Sequence, residues 1–513
     1  MTEARKDAPV PPGLVLWPAS ATPQNRVCML ISDIHCTDCT VGDQTADEAD
    51  WQAFFEQIPN LCRHPSCAPD DKLADHVDEL VLILNGDIVD LIRSSRWAEA
   101  GVYPWDRQHA LFPEIAMEIM VRIAEIHSSP PGPHEDHQHS GFFYWLQLTA
   151  SSLRAQGITV TIIPIVGNHD KELQVLPEVR RMFYEACLGL KADDLSPAYR
   201  QWLAAQLNVP DEPYPQLPVY FGDPGMRLFA THGQWRDSQN IRATALWSTG
   251  KGWQPTLWQQ EKYLPFSEPC FGDTVATGLL SRFIWVAKAA IPGDNHSEQR
   301  LRRILDEMDL YRPSVKAVLR LLDEAKALAR QDPNASHLRR RIITLFGESL
   351  SAWLGHQTTW KSAILPIRLG LHVLNLMHKL GSHTVDVWLM RLMARLQEPE
   401  NDISDSKLLA LPGFITAYRH LGFRLHVEGH THVALEADLQ FSDPLTRRNY
   451  TYVNLGTWRD RIVPKRNRGF RRRGIGRALT IFSFARAEAA GQSDLYRFEA
   501  HDTTSWGDKQ DKW

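Results

Sequence analysis

The chain has 513 residues, 43% of them hydrophobic, and a formal net charge of −5. That is enough to bury a sizeable core in one large elaborated domain or in two units, and too acidic for a globally basic nucleic-acid binder. Met1 to Ser20 is polar and proline-rich, and nowhere do about 18 uncharged apolar residues run together. Neither a cleaved signal nor a spanning helix is expected, and the cytoplasm is the simplest compartment.

In chain order, Val27 to Ile31 is a short apolar run that reads as a buried strand, and Asp33-Ile34-His35 follows it. Next come Cys36, Cys39, Cys62 and Cys67, four of an odd total of seven cysteines. Their pairing as two knuckles could hold a structural zinc, and they read equally as unrelated thiols in a loop. An odd number in so long a chain is not a disulfide scaffold. Glu79 to Asn85 repeats the strand pattern before Gly86-Asp87-Ile88-Val89-Asp90. Helices are predicted over Phe112 to His127 and Phe142 to Gln156, flanking a histidine-rich loop from Pro133 to His139. A strand from Thr159 to Val166 precedes Gly167-Asn168-His169-Asp170, and Arg227 to Ala230 leads into Thr231-His232-Gly233. Alternating strands and helices imply βαβ units and an α/β fold, with the donor residues at strand C-terminal ends, where open α/β sheets bind ligands.

Between Phe283 and about Leu396 the periodicity becomes helical: Leu301, Ile304, Leu305, Met308, then Val318 and Leu322, Leu338 and Ile342, and on to Trp388 and Met393. We read residues 276–400 as an all-helical insertion dividing a first core segment, 1–275, from a last one, 401–513. The insertion is expected either to pack on itself or, through Ala363 to Leu380, to lie on a membrane surface or admit an acyl chain. Arg424 to Glu428 is a weaker strand, carrying charges and a histidine, before Gly429-His430-Thr431-His432. Two further strands, Tyr450 to Trp458 and Ala478 to Phe484, enclose a basic segment, 465–477, with Arg466, Arg471 and Arg472. It reads as a solvated loop, a surface for anionic lipid, or a phosphate-facing rim.

The five clusters hold hard oxygen and imidazole donors, enough for two divalent cations, manganese first, with iron, zinc or magnesium as alternatives. Their order resembles the calcineurin-like metallophosphoesterase superfamily: D-x-H, G-D-x-x-D, G-N-H-[DE], H, G-H-x-H. The resemblance runs from Asp33 to His432 and implies a four-layer αββα sandwich. It implies that Asp33, His35 and His432 hold one metal, Asp87 bridges, and Asn168, His232 and His430 complete the second. His169 would contact the scissile phosphate and assist the leaving oxygen, Asp90 would orient His169, and Asp170 would act behind them. The expected reaction is hydrolysis of a phosphomonoester, phosphodiester or pyrophosphate bond by a metal-bridged hydroxide.

Departures narrow the substrate. Asp90 is followed by Leu91-Ile92-Arg93, unlike protein Ser/Thr phosphatases, which continue that motif as Asp-Arg-Gly. Asn454-Leu455-Gly456-Thr457-Trp458 is similar to a segment of the bacterial branch containing UDP-2,3-diacylglucosamine pyrophosphatase, where a helical insertion receives acyl chains. A lipid- or nucleotide-linked substrate is therefore expected. The rivals are a DNA-repair nuclease of the same superfamily, with the arginines on phosphates, and a scaffold that keeps the fold for binding.

Overall fold

The computed structural model describes residues 15–18, 25–42, 45–63, 76–130, 141–237, 239–241, 267–311, 315–331, 336–379, 423–440, 449–464, 469–473, 475–483 and 495–502. Near-continuous apolar runs make its first three strands: β1 (Arg26–Ile31), β2 (Glu79–Asn85) and β3 (Thr159–Ile165). Runs of that kind suit parallel strands covered on both faces, and all three pair in parallel with β2 central. β11 (Ile475–Ser483) joins antiparallel to β1, and β12 (Leu495–Asp502) forms the far edge. The second sheet is ordered β4 (Tyr220–Asp223), β5 (Leu228–Thr231), β6 (Leu425–Glu428), β8 (Asn449–Asn454), β7 (Leu435–Gln440). Here β5, β6 and β8 are parallel and the two outer strands antiparallel. The fold is thus mixed α/β with two mixed sheets.

Helices α1 (Glu48–Arg63), α2 (Arg96–Ala100), α3 (Phe112–His127) and α4 (Phe142–Ala155) fall between the strands of the first sheet, and α5 (Pro177–Met182) and α6 (Pro197–Leu207) lead into the second. One buried cluster takes Val27, Leu82 and Ile163 from the first sheet and Phe229, Val427 and Val453 from the second. Polar bonds reinforce it at the strand ends: Asn85 Nδ2 donates to Thr231 O at 3.1 Å, and His232 Nδ1 donates to Asn85 O at 2.8 Å. Trp51 of α1 stacks on Trp458, ring centres 4.5 Å apart, which seats the turn after β8 against the first layer of helices.

The helical block comprises α7 (Arg282–Ala290), α8 (His296–Asp306), α9 (Val315–Gln331), α10 (Ser336–Gly355), α11 (Gln357–Ser362) and α12 (Leu365–Lys379). Its own core buries the predicted stripe residues Leu301, Ile304, Leu305, Met308, Val318, Leu322, Leu338 and Ile342. That core also takes in Phe271 and Ile462. Ile462 lies on a two-stranded hairpin of β9 (Arg461–Pro464) and β10 (Phe470–Arg473), whose Phe470 meets Tyr311 edge-on at 5.1 Å. The C-terminal hairpin therefore packs on the inserted helices, a long-range contact that helical periodicity cannot signal. Among the described residues no helix is long and apolar enough to cross a membrane. Cys67, Arg466, the stretch from Pro133 to His139 and the stripe residues Trp388 and Met393 lie outside the described residues.

Candidate metal centre

Each of the five clusters sits immediately after a strand: Asp33 and His35 after β1, Asp87 and Asp90 after β2, Asn168 and His169 after β3, His232 after β5, His430 and His432 after β6. The weak fifth strand is real because all four of its residues are buried. Backbone bonds sew the strand ends together. Asp33 N donates to Gly86 O at 3.1 Å, His35 N to Asp87 O at 2.9 Å, Leu91 N to His169 O at 3.1 Å, and Gly429 N to His232 O at 2.9 Å. Asp33, His35, Asp87, His430 and His432 all have positive φ, between 49° and 67°. Side chains other than glycine rarely adopt that region, and strain of this kind concentrates at functional sites. Gly167 and Gly429 are required by close approach: a Cβ on the first would strike the Asp87 carboxylate and backbone, and one on the second the Ser32 hydroxyl and Asp33 carboxylate.

Two groups of donors result. The first unites Asp33, His35, Asp87 and His432, and the second Asp87, His232 and His430, the atoms in each lying within 4.8 Å of one another. Asp87 belongs to both. His432 Nε2 stands 3.1 Å from Asp33 Oδ1 and 3.1 Å from His35 Nε2. His35 gives its Nδ1 to Asp90 at 3.1 Å, so in a neutral ring its Nε2 carries only a lone pair. His232 gives Nδ1 to a carbonyl and faces Asp87 Oδ2 with Nε2, 3.3 Å away, where a lone pair is available once that nitrogen gives up its proton. Asp33 Oδ1, Asn168 Oδ1 and His232 Nε2 are all buried, the first facing His432 Nε2 and the last Asp87 Oδ2. Carboxylates and imidazoles converging in this way could hold a cation in place of the protons they share.

The charges point the same way. Burial pushes the Asp33 carboxyl above its usual range and the neighbouring Asp87 pushes further, whereas Asp87 is held low because His232 and His169 outweigh its burial. His232 is held up at about 10: burial alone would lower it, but Asp87 and Asp33 prevail. His35 is driven down to about 3 by burial and then by Arg459, which leaves it neutral. The buried carboxylates are balanced by protons on His232 and His169 and by Arg459, and a bound cation could take over the part the histidine protons play.

A third group, His35, Asp90 and His169, is a relay of hydrogen bonds. Asp90 takes His35 Nδ1 on one oxygen and His169 Nδ1, at 2.8 Å, on the other. Burial would raise the Asp90 carboxyl, but His169 and His35 hold it well below the usual range. His169 Nδ1 is sealed, so the 16% exposure of that side chain belongs to its other ring atoms. Asp170 accepts from Ile88 N at 2.9 Å and Gly167 N at 2.6 Å, fixing both loops from behind.

Six residues unmarked by the motifs complete the surroundings. Arg459, 1% exposed, lies beside Asp90, Asp33 and Asp87, and donates to Asp309 O at 3.0 Å and to the Asp309 carboxylate. Asp309, from the turn after α8, also pairs with Arg93. Lys171 and Asp273 form a second buried pair at 2.5 Å between the third cluster and the start of the helical block. The Thr457-Trp458-Arg459 turn closes a strand as the five clusters do, and that position was the only sequence signal for Arg459. Asp237, 3.4 Å from His430 Nε2, had no such signal.

The remaining sequence candidates fall elsewhere. Arg472 is engaged with Asp460 and, at 3.0 Å, with Glu307. Arg471 lies on β10. Cys36 and Cys62 are buried in the main apolar cluster, and burial pushes the Cys62 thiol up to about 12. A thiol so raised is a poor metal ligand. Among the described residues no cysteine joins a metal-type group. Comparison with protein-family models, with curated proteins and with solved structures found no match to this chain.

Proposed function

We propose that this chain is a metal-dependent phosphoesterase of the calcineurin-like kind, its two sheets forming the inner layers of an αββα sandwich with the helical block spliced in. The observation that carries the reading is the convergence of carboxylate and imidazole atoms of Asp33, His35, His232, His430 and His432 around Asp87, gathered from four separate strand ends. Asp33, His35 and His432 would hold one divalent ion, Asn168, His232 and His430 another, and Asp87 both. Two such ions lower the pKa of water and neutralise phosphate oxygens.

The chain's own contribution is proton placement. Asp90 fixes the tautomer of His35, leaving its Nε2 a donor of electrons, and holds His169 by Nδ1. Burial lowers the affinity of His169 for a proton, but Asp90 and Asp87 outweigh it and favour the charged ring. That charge suits a group that gives a proton to a leaving oxygen at the open side of the pocket. Arg459 supplies a permanent buried cation behind the carboxylates, anchored by Asp309. With Arg472 engaged inside the protein, a nuclease-type basic rim loses one of its three named members, and we favour a small phosphoester over a polynucleotide.

The test is hydrolysis of bis-p-nitrophenyl phosphate and p-nitrophenyl phosphate by manganese-loaded protein, alongside Asp87→Ala and metal content by elemental analysis. Wild type is expected to bind metal and turn over at least one ester, and the variant to do neither. Wild type inert with manganese, iron, zinc and magnesium, and empty of all four, sinks the proposal.

A further inference from the structure

Helix α12 presents an apolar face that no described residue covers. Leu365, Leu369, Val373 and Leu376 are 55–68% exposed, four of the six large hydrophobic residues most open to solvent among those described. At 3.6 residues per turn they share an arc of about 80°. The opposite side seats the helix: Leu371 is buried in the core of the helical block, with Ile367 and Leu374 packed against it. His378 is bonded to Ser351 of α10 at 2.6 Å, and the Trp360 and His372 rings lie 4.7 Å apart. The stripe is therefore held outward by a docked helix.

Charge selects the partner. Arg368, His372 and Lys379 are exposed along one flank of the apolar arc, and Lys361 is exposed just before the helix. Between Glu348 and Asp386 the sequence contains no carboxylate at all. An apolar stripe with a cationic edge and no acid in its own stretch of chain matches the boundary of an anionic bilayer, where leucines enter the acyl region and basic groups meet lipid phosphates. A self-associating face would place like charges opposite one another. We infer that α12 docks this protein on anionic lipid surfaces, lying in the plane of the interface. The inference is independent of the proposed catalysis.

Co-sedimentation with vesicles tests it, using the full chain, phosphatidylcholine alone, and phosphatidylcholine with phosphatidylglycerol. Binding is expected to the mixed vesicles only and to weaken with salt. Leu369→Glu/Leu376→Glu should weaken it on the order of a hundred-fold, and Arg368→Gln/Lys379→Gln about twenty-fold, near five-fold per cation. All four positions are exposed, so thermal stability and phosphoester hydrolysis in solution should remain at wild-type levels. The inference is overturned if wild type ignores the mixed vesicles, if it binds neutral ones equally, or if sedimentation velocity shows a dimer that the leucine variant disperses.

Discussion

Asp90→Asn isolates the proton relay from the metals. The carboxylate accepts from two imidazoles at once, His35 Nδ1 at 3.1 Å and His169 Nδ1 at 2.8 Å, and also from Arg93 N at 3.1 Å. An amide of the same shape keeps one accepting oxygen, so one histidine meets an N–H and must change tautomer. A hydrogen bond to a charged group contributes about 1.5–3 kcal/mol, or roughly ten- to a hundred-fold in rate if it operates only when His169 is charged. Deleting the acid altogether, in His169→Ala, should lose about 10²–10⁴-fold. The assay uses two esters under saturating metal: p-nitrophenyl phosphate, whose phenolate leaves unaided, and an alkyl phosphate, whose alkoxide needs a proton. Both variants should lose far more on the alkyl ester, and the double variant should lose little more than His169→Ala. Equal losses on the two esters would refute the relay and assign Asp90 to holding His35 alone.

Gly167→Ala should expel the Asp87 carboxylate, because the new Cβ overlaps it; calorimetric titration with manganese should show metal affinity falling by at least about ten-fold while far-UV circular dichroism is retained. Asp309→Ala leaves Arg93 and Arg459 buried without their shared carboxylate and should destabilise the fold by about 3–5 kcal/mol in chemical denaturation, whereas a loss under about 1 kcal/mol would show the pairs to be dispensable. Glu172 is fully buried, and burial pushes its carboxyl up to about 7 from 4.5, with Lys171 and Arg107 offsetting part of the effect. The folded state thus prefers the protonated form, and stability is highest below the unfolded value and falls as pH rises through about 7. Glu172→Gln should gain about 3 kcal/mol at pH above 7 and nothing near pH 4, and a pH-independent difference would contradict that account.

The α/β core was legible because the three parallel strands of the first sheet are mostly apolar runs that end just before a short polar residue or glycine, and β2 was predicted to the residue. The donor atoms were legible because each follows such a strand at once. Charge balance was not. Arg459, Asp309 and Arg93 come together from segments up to 366 positions apart (Arg93 to Arg459), and no spacing rule links a turn after α8 to a turn after β8. Arg472 was illegible for the same reason: it looks solvated in sequence but faces Asp460 and Glu307 once the hairpin folds onto the helical block. Local pattern names the element, whereas pairing of buried charges is settled only by tertiary packing.

The conformation of the donor residues sharpens the case that this pocket is for something other than stability. Five Asp and His residues in the left-handed region together cost on the order of 5 kcal/mol at about 1 kcal/mol each, a sum comparable with the net stability of many domains. Glycine would relieve that strain at every one of the five, and the chain already uses glycine next to two of them, at positions 86 and 429. Nor does burial of Asp33 beside Asp87 stabilise the apoprotein, since each carboxylate raises the energy of the other's charge. Strain and repulsion coincide on Asp33 and Asp87. A divalent ion between them would reverse the repulsion and make the strain tolerable.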